Sequence, residues 1–366
     1  MSGYTNGDRL KNGFGLESQQ DRARGAAKEF SKLGRRLEDT YIFCRGASSS
    51  TASTPILVFL HGAGHASPAW ANFVMELPME HGHVLAIELP GHGRLCDVQD
   101  KLALKDLLAH VKYSVSLVFE RWKECYGEDC VRPHESAPLV LIGHSLGSAL
   151  VAHLAKECAE QEKAKVKSSL PWKLSGLVLL DMQEETALAH AAAGSGSNIP
   201  NVFSDLTAAV EWSYGSTGPM ATAPGAWVAV PSMLRLVVDE PAPETYDEPD
   251  AVDPMTIGGE DCDDICEAVT WRAPISATAP YWDEWFRGAT AAFLGVRYPK
   301  MFVSAVCDQL DTQLTIAHMQ GKFQHAVAPT AGHVIQADHP QWLVGQISTF
   351  LNRVTRPSAM AQGWRP

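Results

Sequence analysis

The sequence lacks the features that would place this protein on a nucleic acid, in a membrane or outside the cell. It has 366 residues and a formal net charge of −12, without a basic patch for a nucleic acid or an anionic membrane surface. No apolar run reaches 18 residues, and the polar amino terminus (SGYTNGDRLKNG) has no signal-peptide core. These absences predict a soluble intracellular protein, cytoplasmic or nuclear, that binds neither nucleic acid nor membrane.

Cysteine pairs at metal-binding spacing are also missing. Eight cysteines are scattered along the chain, and only Cys125 with Cys130 and Cys262 with Cys266 lie close together. Neither pair has the spacing of a zinc site, and no suitably spaced histidine pair follows. We therefore expect reduced thiols, as is usual in the cytosol, and no metal.

The negative charge is concentrated in one stretch. Residues 239–267 contain twelve Asp or Glu and no Lys or Arg, and the other 30 acidic residues balance the 30 basic ones. Four prolines and a single aromatic residue make this stretch typical of a disordered loop. Residues 1–36 form a second polar segment, for which we expect a disordered first dozen residues and a helix over 21–33.

Short apolar runs alternate with helical segments through most of the chain. The predicted strands are residues 56–60, 84–89, 139–142, 177–180 and 301–306. Continuous apolar runs of this length are typical of parallel strands that are buried on both faces. The helical segments between and after them are residues 105–123, 146–161 and 340–354. The alternation predicts an α/β fold, with a mostly parallel central sheet and helices on both faces.

The alternation stops after Asp181 and resumes near Lys300. We interpret residues 37–181 and 300–356 as two parts of one core, and residues 182–299 as a cap inserted late in the sheet. The acidic loop 239–267 falls inside this cap, and residues 357–366 form a tail.

A candidate nucleophile lies between an apolar strand and an apolar helix. The segment Gly143-His144-Ser145-Leu146-Gly147 joins PLVLI to SALVAHLA. In this context G-x-S-x-G is typical of the nucleophile elbow of α/β-hydrolases. The sharp turn needs small neighbours, lifts the hydroxyl of Ser145 above the sheet edge and places the amide of Leu146 beside the reacting carbonyl. The sequence therefore predicts an α/β-hydrolase with Ser145 as its nucleophile.

The loop after the first predicted strand supplies a candidate oxyanion donor. It reads His61-Gly62-Ala63-Gly64. An oxyanion hole needs two donors directed at the developing negative charge. Leu146 provides one amide, and we expect Ala63 to provide the other, with Gly64 allowing close approach of the backbone.

The candidate base is His333, which follows Gly332 near the end of the chain. A serine hydroxyl needs a base to take its proton, and this fold places that base last in the chain. We interpret His61, His144 and His153 as packing or loop-ordering residues, because they lie on or beside structural elements.

The acid that should orient His333 is left open by the pattern. Asp181 ends the strand LVLLD, whereas Asp308 and Asp311 follow the strand MFVSAVC. Many α/β-hydrolases keep their acid at the later position, which favours Asp308. An aromatic cluster precedes that strand and is more typical of cap packing than of a ligand site: Trp271, Tyr281, Trp282, Trp285 and Phe286.

Several longer segments resemble the protein phosphatase methylesterases, which demethylate the carboxyl-terminal leucine of the protein phosphatase 2A catalytic subunit. They are LHGAGHASPAW (60–70), LIGHSLGSALVAH (141–153), LLDMQEETA (179–187), YWDEWFRGATAAFL (281–294) and a segment over 299–333. The resemblance covers roughly residues 36–354. Segments such as YWDEWFRG are specific to it, because no general requirement of hydrolase chemistry explains them.

The resemblance implies a catalytic triad of Ser145, Asp181 and His333, which moves the preference for the acid to Asp181. It implies methyl-ester hydrolysis without a cofactor, and the phosphatase catalytic subunit as both substrate and docking partner, with full alignment of the triad in that complex. Two alternatives remain: a small-molecule carboxylesterase of the same fold, and a phosphatase-binding inhibitor or stabiliser with secondary hydrolase activity.

Overall fold

The apolar runs of the sequence form the centre of a single large sheet. The computed structural model describes residues 7–193, 199–237, 267–305 and 310–355, with side chains described from residue 19 onward. The strands in these ranges are β1 (Gly34–Leu37), β2 (Thr40–Arg45), β3 (Ile56–Leu60), β4 (His83–Ile87), β5 (Pro138–His144), β6 (Lys173–Leu180), β7 (Val202–Phe203), β8 (Leu234–Leu236), β9 (Val269–Trp271), β10 (Lys300–Ala305) and β11 (Gln324–Ala328).

Eight strands pair in the order β1-β2-β4-β3-β5-β6-β10-β11. The β1–β2 and β2–β4 pairs are antiparallel. The remaining pairs of this sheet, β4–β3, β3–β5, β5–β6, β6–β10 and β10–β11, are parallel. Neighbouring parallel strands end at the same edge of the sheet, where ligands of open α/β sheets bind. The segments that follow β3, β5 and β6 therefore meet at that edge.

Helices cover both faces of this sheet and also make up much of the chain between β6 and β10. They are α1 (Gly7–Ser31), α2 (Ala71–Glu76), α3 (Leu104–Glu120), α4 (Trp122–Tyr126), α5 (Leu146–Ala164), α6 (Glu184–Ala192), α7 (Leu206–Tyr214), α8 (Ala223–Ala229), α9 (Ile275–Thr278), α10 (Trp282–Phe286), α11 (Ala289–Gly295), α12 (Thr312–Met319), α13 (Ile335–Asp338) and α14 (Pro340–Thr355). Because side chains alternate along a strand, Val58 of β3 packs on the face of α3 and α5, and Phe59 packs on that of α2 and α14. None of the helices in the described ranges has the length and apolar character that a bilayer crossing requires.

The chain between β6 and β10 forms α6 to α11 and a small antiparallel sheet with the order β7-β9-β8. These elements have an apolar cluster of their own, which includes Val210, Met233 and Trp271. Val334 and Ala337, which follow the candidate base, pack into the same cluster. The cap and the loop that carries His333 therefore share one core. Residues 239–266 of the predicted acidic loop and the tail 357–366 lie outside the described residues.

The amino-terminal prediction is wrong in its boundaries. Helix α1 begins at Gly7 rather than at residue 21, although its sequence has almost no amphipathic pattern. Its later part packs on α2 and α8 with Ala23 and Phe30 buried, and a helix extends easily from a turn that is already fixed. The core also begins at Gly34 rather than at residue 37, because β1 (GRRL) has no apolar run but pairs with β2.

Substitution of Phe30 by alanine tests whether α1 is an integral part of the fold. Phe30 is fully buried and stacks on Phe43 with 4.7 Å between ring centroids. We expect the free energy of unfolding in urea to fall by about 3–5 kcal/mol, because the change leaves a cavity. Phe30→Leu, which keeps most of the volume, should lose clearly less. A loss below about 1 kcal/mol for Phe30→Ala would mean that α1 adds little to the core.

Candidate active site

Ser145 lies in a strained turn between β5 and α5. It has φ 49° and ψ −114°, and its amide donates to the carbonyl of Leu180 at 2.9 Å. A Cβ added to Gly143 would lie 2.3 Å from the backbone of Gly147, and one added to Gly147 would lie 2.2 Å from Leu60 O. Only glycine fits at these two positions. Such strain in a non-glycine residue is typical of functional sites and holds the side chain at the sheet edge.

Asp181 follows β6 in a second left-handed conformation, with φ 45°. Its amide donates to Val303 O at 2.7 Å, and its Oδ1 accepts from the amide of Ala305 at 2.9 Å. Its Oδ2 accepts from Nδ1 of His333 at 2.7 Å. This contact places the imidazole proton on Nδ1 and leaves Nε2 free to accept a proton.

Asp311, the other acid candidate among the described residues, does not share this contact. Asp308 belongs to residues 306–309, which lie outside the described residues. Asp311 is buried and accepts from the amide of Glu185 at 2.9 Å, so it anchors the start of α6. Burial raises the pKa of the Asp311 carboxyl above its ordinary value. Among the described residues, the acid that meets His333 is Asp181.

His333 is fixed through its backbone as well as through its ring. Its amide donates to Pro219 O at 2.7 Å, and its carbonyl accepts from Nε2 of His144 at 2.8 Å. The rings of His144 and His333 lie 4.7 Å apart. Ser145 and His333 line one cavity, but no hydrogen bond joins the hydroxyl to the imidazole in the described part of the chain. The structure therefore brings the three predicted side chains to one place with only the Asp–His contact formed.

Ala63, in the loop after β3, lines this cavity. The Gly62 carbonyl accepts from Nδ1 of His61 at 2.9 Å and from the amide of His65 at 3.2 Å. Because carbonyl and N–H point in opposite directions across a trans peptide, the N–H of Ala63 points away from those donors. Within the described residues, neither Ala63 nor Leu146 donates its amide to a protein acceptor. Both amides are thus available to an oxyanion.

The cavity above Ser145 has a volume of about 390 Å³ and is mainly apolar. Its apolar lining comes largely from the cap: Met182, Ile199, Met220, Met233, Trp271, Ile275, Trp282 and Phe286. No Lys or Arg is among the described residues that line it. Three rings of the aromatic cluster, Trp271, Trp282 and Phe286, line this cavity and also pack in the apolar clusters, whereas Trp285 is fully buried. Spacing along the sequence could not identify which rings face the cavity.

The comparisons with known proteins agree with this architecture. A family model described as "Alpha/beta hydrolase family" matches residues 57–346. The "Probable protein phosphatase methylesterase 1" of Caenorhabditis elegans is 31% identical over 318 residues, which cover 84% of this chain and 72% of that protein. The chain belongs to the protein phosphatase methylesterase family of α/β-hydrolases. It is a serine hydrolase of carboxylic esters, and the predicted fold class is confirmed.

A second relative is similar to this chain in sequence over a comparable length. "Protein phosphatase methylesterase 1" of Bos taurus is 30% identical over 326 residues, covering 83% of this chain and 78% of that protein. Two solved structures share the fold at low identity. They are E-2-(acetamidomethylene)succinate hydrolase (18% identity, TM-score 0.58, covering 87% of this chain and 99% of that one) and a peroxisomal α/β-hydrolase of Saccharomyces cerevisiae (13%, 0.55, 91% and 88%).

Buried histidines surround the active-site loops of this methylesterase family member. Burial lowers the pKa of His65 and of His92 to about 3, and that of His144 well below its usual range. Nearby histidines lower these values further. All three rings are therefore neutral at physiological pH. In the described ranges, no group of three or more His, Cys, Asp or Glu side chains could hold a metal ion.

These histidines predict that the fold loses stability in acid. His65 and His92 titrate near 3, and burial lowers the pKa of His83 and His110 to about 4, against 6.5 for an unperturbed histidine. The unfolded chain therefore binds protons first, and stability falls as the pH drops below about 6.5. We expect each group to contribute up to about 1.4 kcal/mol per pH unit down to its folded pKa, measured as urea stability between pH 7 and pH 5.

His110→Gln is the matched variant for this prediction. The Nε2 of His110 contacts the Glu88 carbonyl at 3.0 Å, a contact that a glutamine amide is able to replace. The variant should therefore show a shallower fall in stability between pH 6.5 and pH 5. A slope equal to that of the wild type would show that His110 does not stay neutral in the folded state.

Asp181→Asn should nearly abolish ester hydrolysis. The amide of Ala305 needs an oxygen, so the new NH₂ group would face Nδ1 of His333 and favour the tautomer that carries its proton on Nε2. That tautomer cannot accept the proton of Ser145, and we expect kcat to fall about 10³- to 10⁴-fold. The measurement is the steady-state rate with p-nitrophenyl acetate. Asp308→Asn, the matched control, should stay within about twofold, and the reverse pattern would assign the acid to Asp308.

Proposed function

We propose that this enzyme removes the methyl ester from the carboxyl-terminal leucine of the protein phosphatase 2A catalytic subunit. The observation that carries the proposal is the 2.7 Å contact between Asp181 and His333 at the cavity of Ser145. The substrate is inferred from relatives named protein phosphatase methylesterase.

The reaction follows from the roles of these three side chains. Nε2 of His333 takes the proton of Ser145 as Oγ attacks the ester carbonyl, and the amides of Leu146 and Ala63 donate to the oxyanion. His333 then donates that proton to the methoxide leaving group, so that methanol departs and an acyl-enzyme remains. Water, deprotonated by His333, attacks that acyl group, and Ser145 regains its proton as the free carboxylate leaves. Asp181 holds the ring and stabilises its charged form, and no step needs a metal or organic cofactor.

The missing hydrogen bond between Ser145 and His333 is compatible with this mechanism. Catalytic hydrogen bonds are often long without substrate and tighten in the Michaelis complex. We infer that the hydrogen bond between Ser145 and His333 forms when the phosphatase docks on the enzyme and its methyl ester fills the cavity. The hydroxyl and the ring already line one cavity.

The cavity suits a neutral ester of an apolar residue. Methionine and aromatic side chains provide apolar contacts for a leucine side chain and for the methyl group. The described lining offers no lysine or arginine to pair with the carboxylate of the product. The same lining therefore favours binding of the methyl ester and release of the free acid.

Incubation with the methylated phosphatase catalytic subunit tests this function. We expect the wild type to remove the methyl group and Ser145→Ala to leave it, because the nucleophile is gone. The change is read as the mass of the carboxyl-terminal peptide. Ser175→Ala, at the opposite end of β6, is the serine control and should behave as the wild type.

Two outcomes would contradict the proposal. Turnover of p-nitrophenyl acetate without demethylation of the phosphatase would indicate a small-molecule carboxylesterase. If the wild-type protein forms a stable complex with the phosphatase but does not remove its methyl group, the protein would be an inhibitor or stabiliser of the phosphatase.

A further inference from the structure

A buried carboxylate lies behind the candidate base and outside the triad. Asp338, at the end of α13, is 8% exposed and accepts four hydrogen bonds. Oδ2 accepts from the amides of Gly332 and Ala221, each at 2.9 Å. Oδ1 accepts from the amide of Thr222 at 3.0 Å and from its hydroxyl at 2.9 Å. These donors are all uncharged, and no ion pair to Asp338 is formed within the described ranges.

The four donors come from two separate segments. Gly332 immediately precedes His333, whereas Ala221 and Thr222 lie in the cap between α7 and α8. One carboxylate therefore joins the loop of the base to the cap. The hydrogen bond from the His333 amide to Pro219 O, at 2.7 Å, reinforces this link two residues earlier in the cap.

The backbones at this junction are too close for larger side chains. A Cβ added to Gly332 would lie 2.5 Å from Pro219 O, and one added to Gly225 would lie 2.8 Å from Oδ1 of Asp338. Val334, immediately before α13, and Ala337, within it, are buried in the cap cluster. The segment that carries the base therefore packs on the cap as well as on the sheet, whose apolar cluster includes Ile335.

We propose that Asp338 is a positioning residue for ester hydrolysis, which sets the alignment of His333 by fixing its loop to cap residues 219–222. The inference rests on the proposed role of His333 as the base. Asp181 fixes Nδ1 of the His333 ring, but the position of the ring also depends on the backbone of His333. Asp338 holds that backbone through the amide of Gly332, the preceding residue. A misplacement of about 1 Å can cost 10²-fold in rate, so a small shift of this segment is sufficient to lower activity.

A carboxylate is needed at this position because each of its two oxygens accepts two hydrogen bonds. An asparagine amide keeps one oxygen and turns the other position into a donor. Asp338→Asn therefore leaves either Gly332 with Ala221, or the two donors of Thr222, without an acceptor. Burial keeps water from replacing that acceptor.

The test measures kcat and KM of Asp338→Asn on the methylated phosphatase catalytic subunit, together with the melting temperature. We expect kcat to fall about 10- to 100-fold while KM stays within about threefold, because the base moves whereas most of the cavity lining lies outside segment 219–222. Asp205→Ala is the control. Asp205 also accepts an amide in the cap, that of Ala208 at 2.8 Å, but it does not contact the His333 loop. This variant should lower the melting temperature and keep kcat.

A milder pair of variants guards against failure of Asp338→Asn to fold. Thr222→Val removes the hydroxyl that donates to Asp338, and Thr222→Ser retains it. We expect kcat to fall with valine and to be restored with serine. An unchanged kcat in folded Asp338→Asn, or equal kcat in the two Thr222 variants, would overturn the proposal. Absence of Ser145-dependent demethylation in the wild type would instead overturn the proposed function, so the two failures are distinguishable.

Discussion

The architecture of the site depends on the parallel pairing of β3, β5 and β6. Leu60 pairs with Gly143, and His144 pairs with Leu180, so these strands end together. Parallel strands in this register bring their carboxyl ends to one edge. The oxyanion loop, the candidate nucleophile and the candidate acid follow these strands within a few residues. Their proximity is therefore a consequence of backbone hydrogen bonds, which are independent of the side chains that react.

Backbone strain at that edge is maintained by the same sheet. Ser145 and Asp181 both have positive φ, which costs a non-glycine residue roughly 1–3 kcal/mol. Each is anchored by its own amide, Ser145 to Leu180 O and Asp181 to Val303 O. These bonds stop the turns from relaxing into ordinary conformations. The strain keeps the hydroxyl and the carboxylate directed out of the sheet, where they meet the cavity.

The cap contributes more than a cover to this site. It supplies most of the apolar lining, and its segment 219–222 contacts the loop of His333 directly. The candidate nucleophile and acid follow strands of the sheet, whereas the loop of the candidate base packs between the sheet and the cap. Alignment of the three side chains therefore depends on how the cap sits on the sheet.

The sequence by itself determined the strands that are buried on both faces, the elbow around Ser145 and the late position of His333. These are local signals, since a continuous apolar run or a glycine beside a serine reports its own surroundings. The extent of α1, the strand β1 and the rings that face the cavity depended on tertiary contacts, because a polar helix or an arginine-containing strand carries no apolar pattern. The pattern also left Asp181 and Asp308 open, and the structure joined Asp181 to His333. Which side chain meets an imidazole 152 positions away depends on strand pairing and loop packing, and only the tertiary structure decides these.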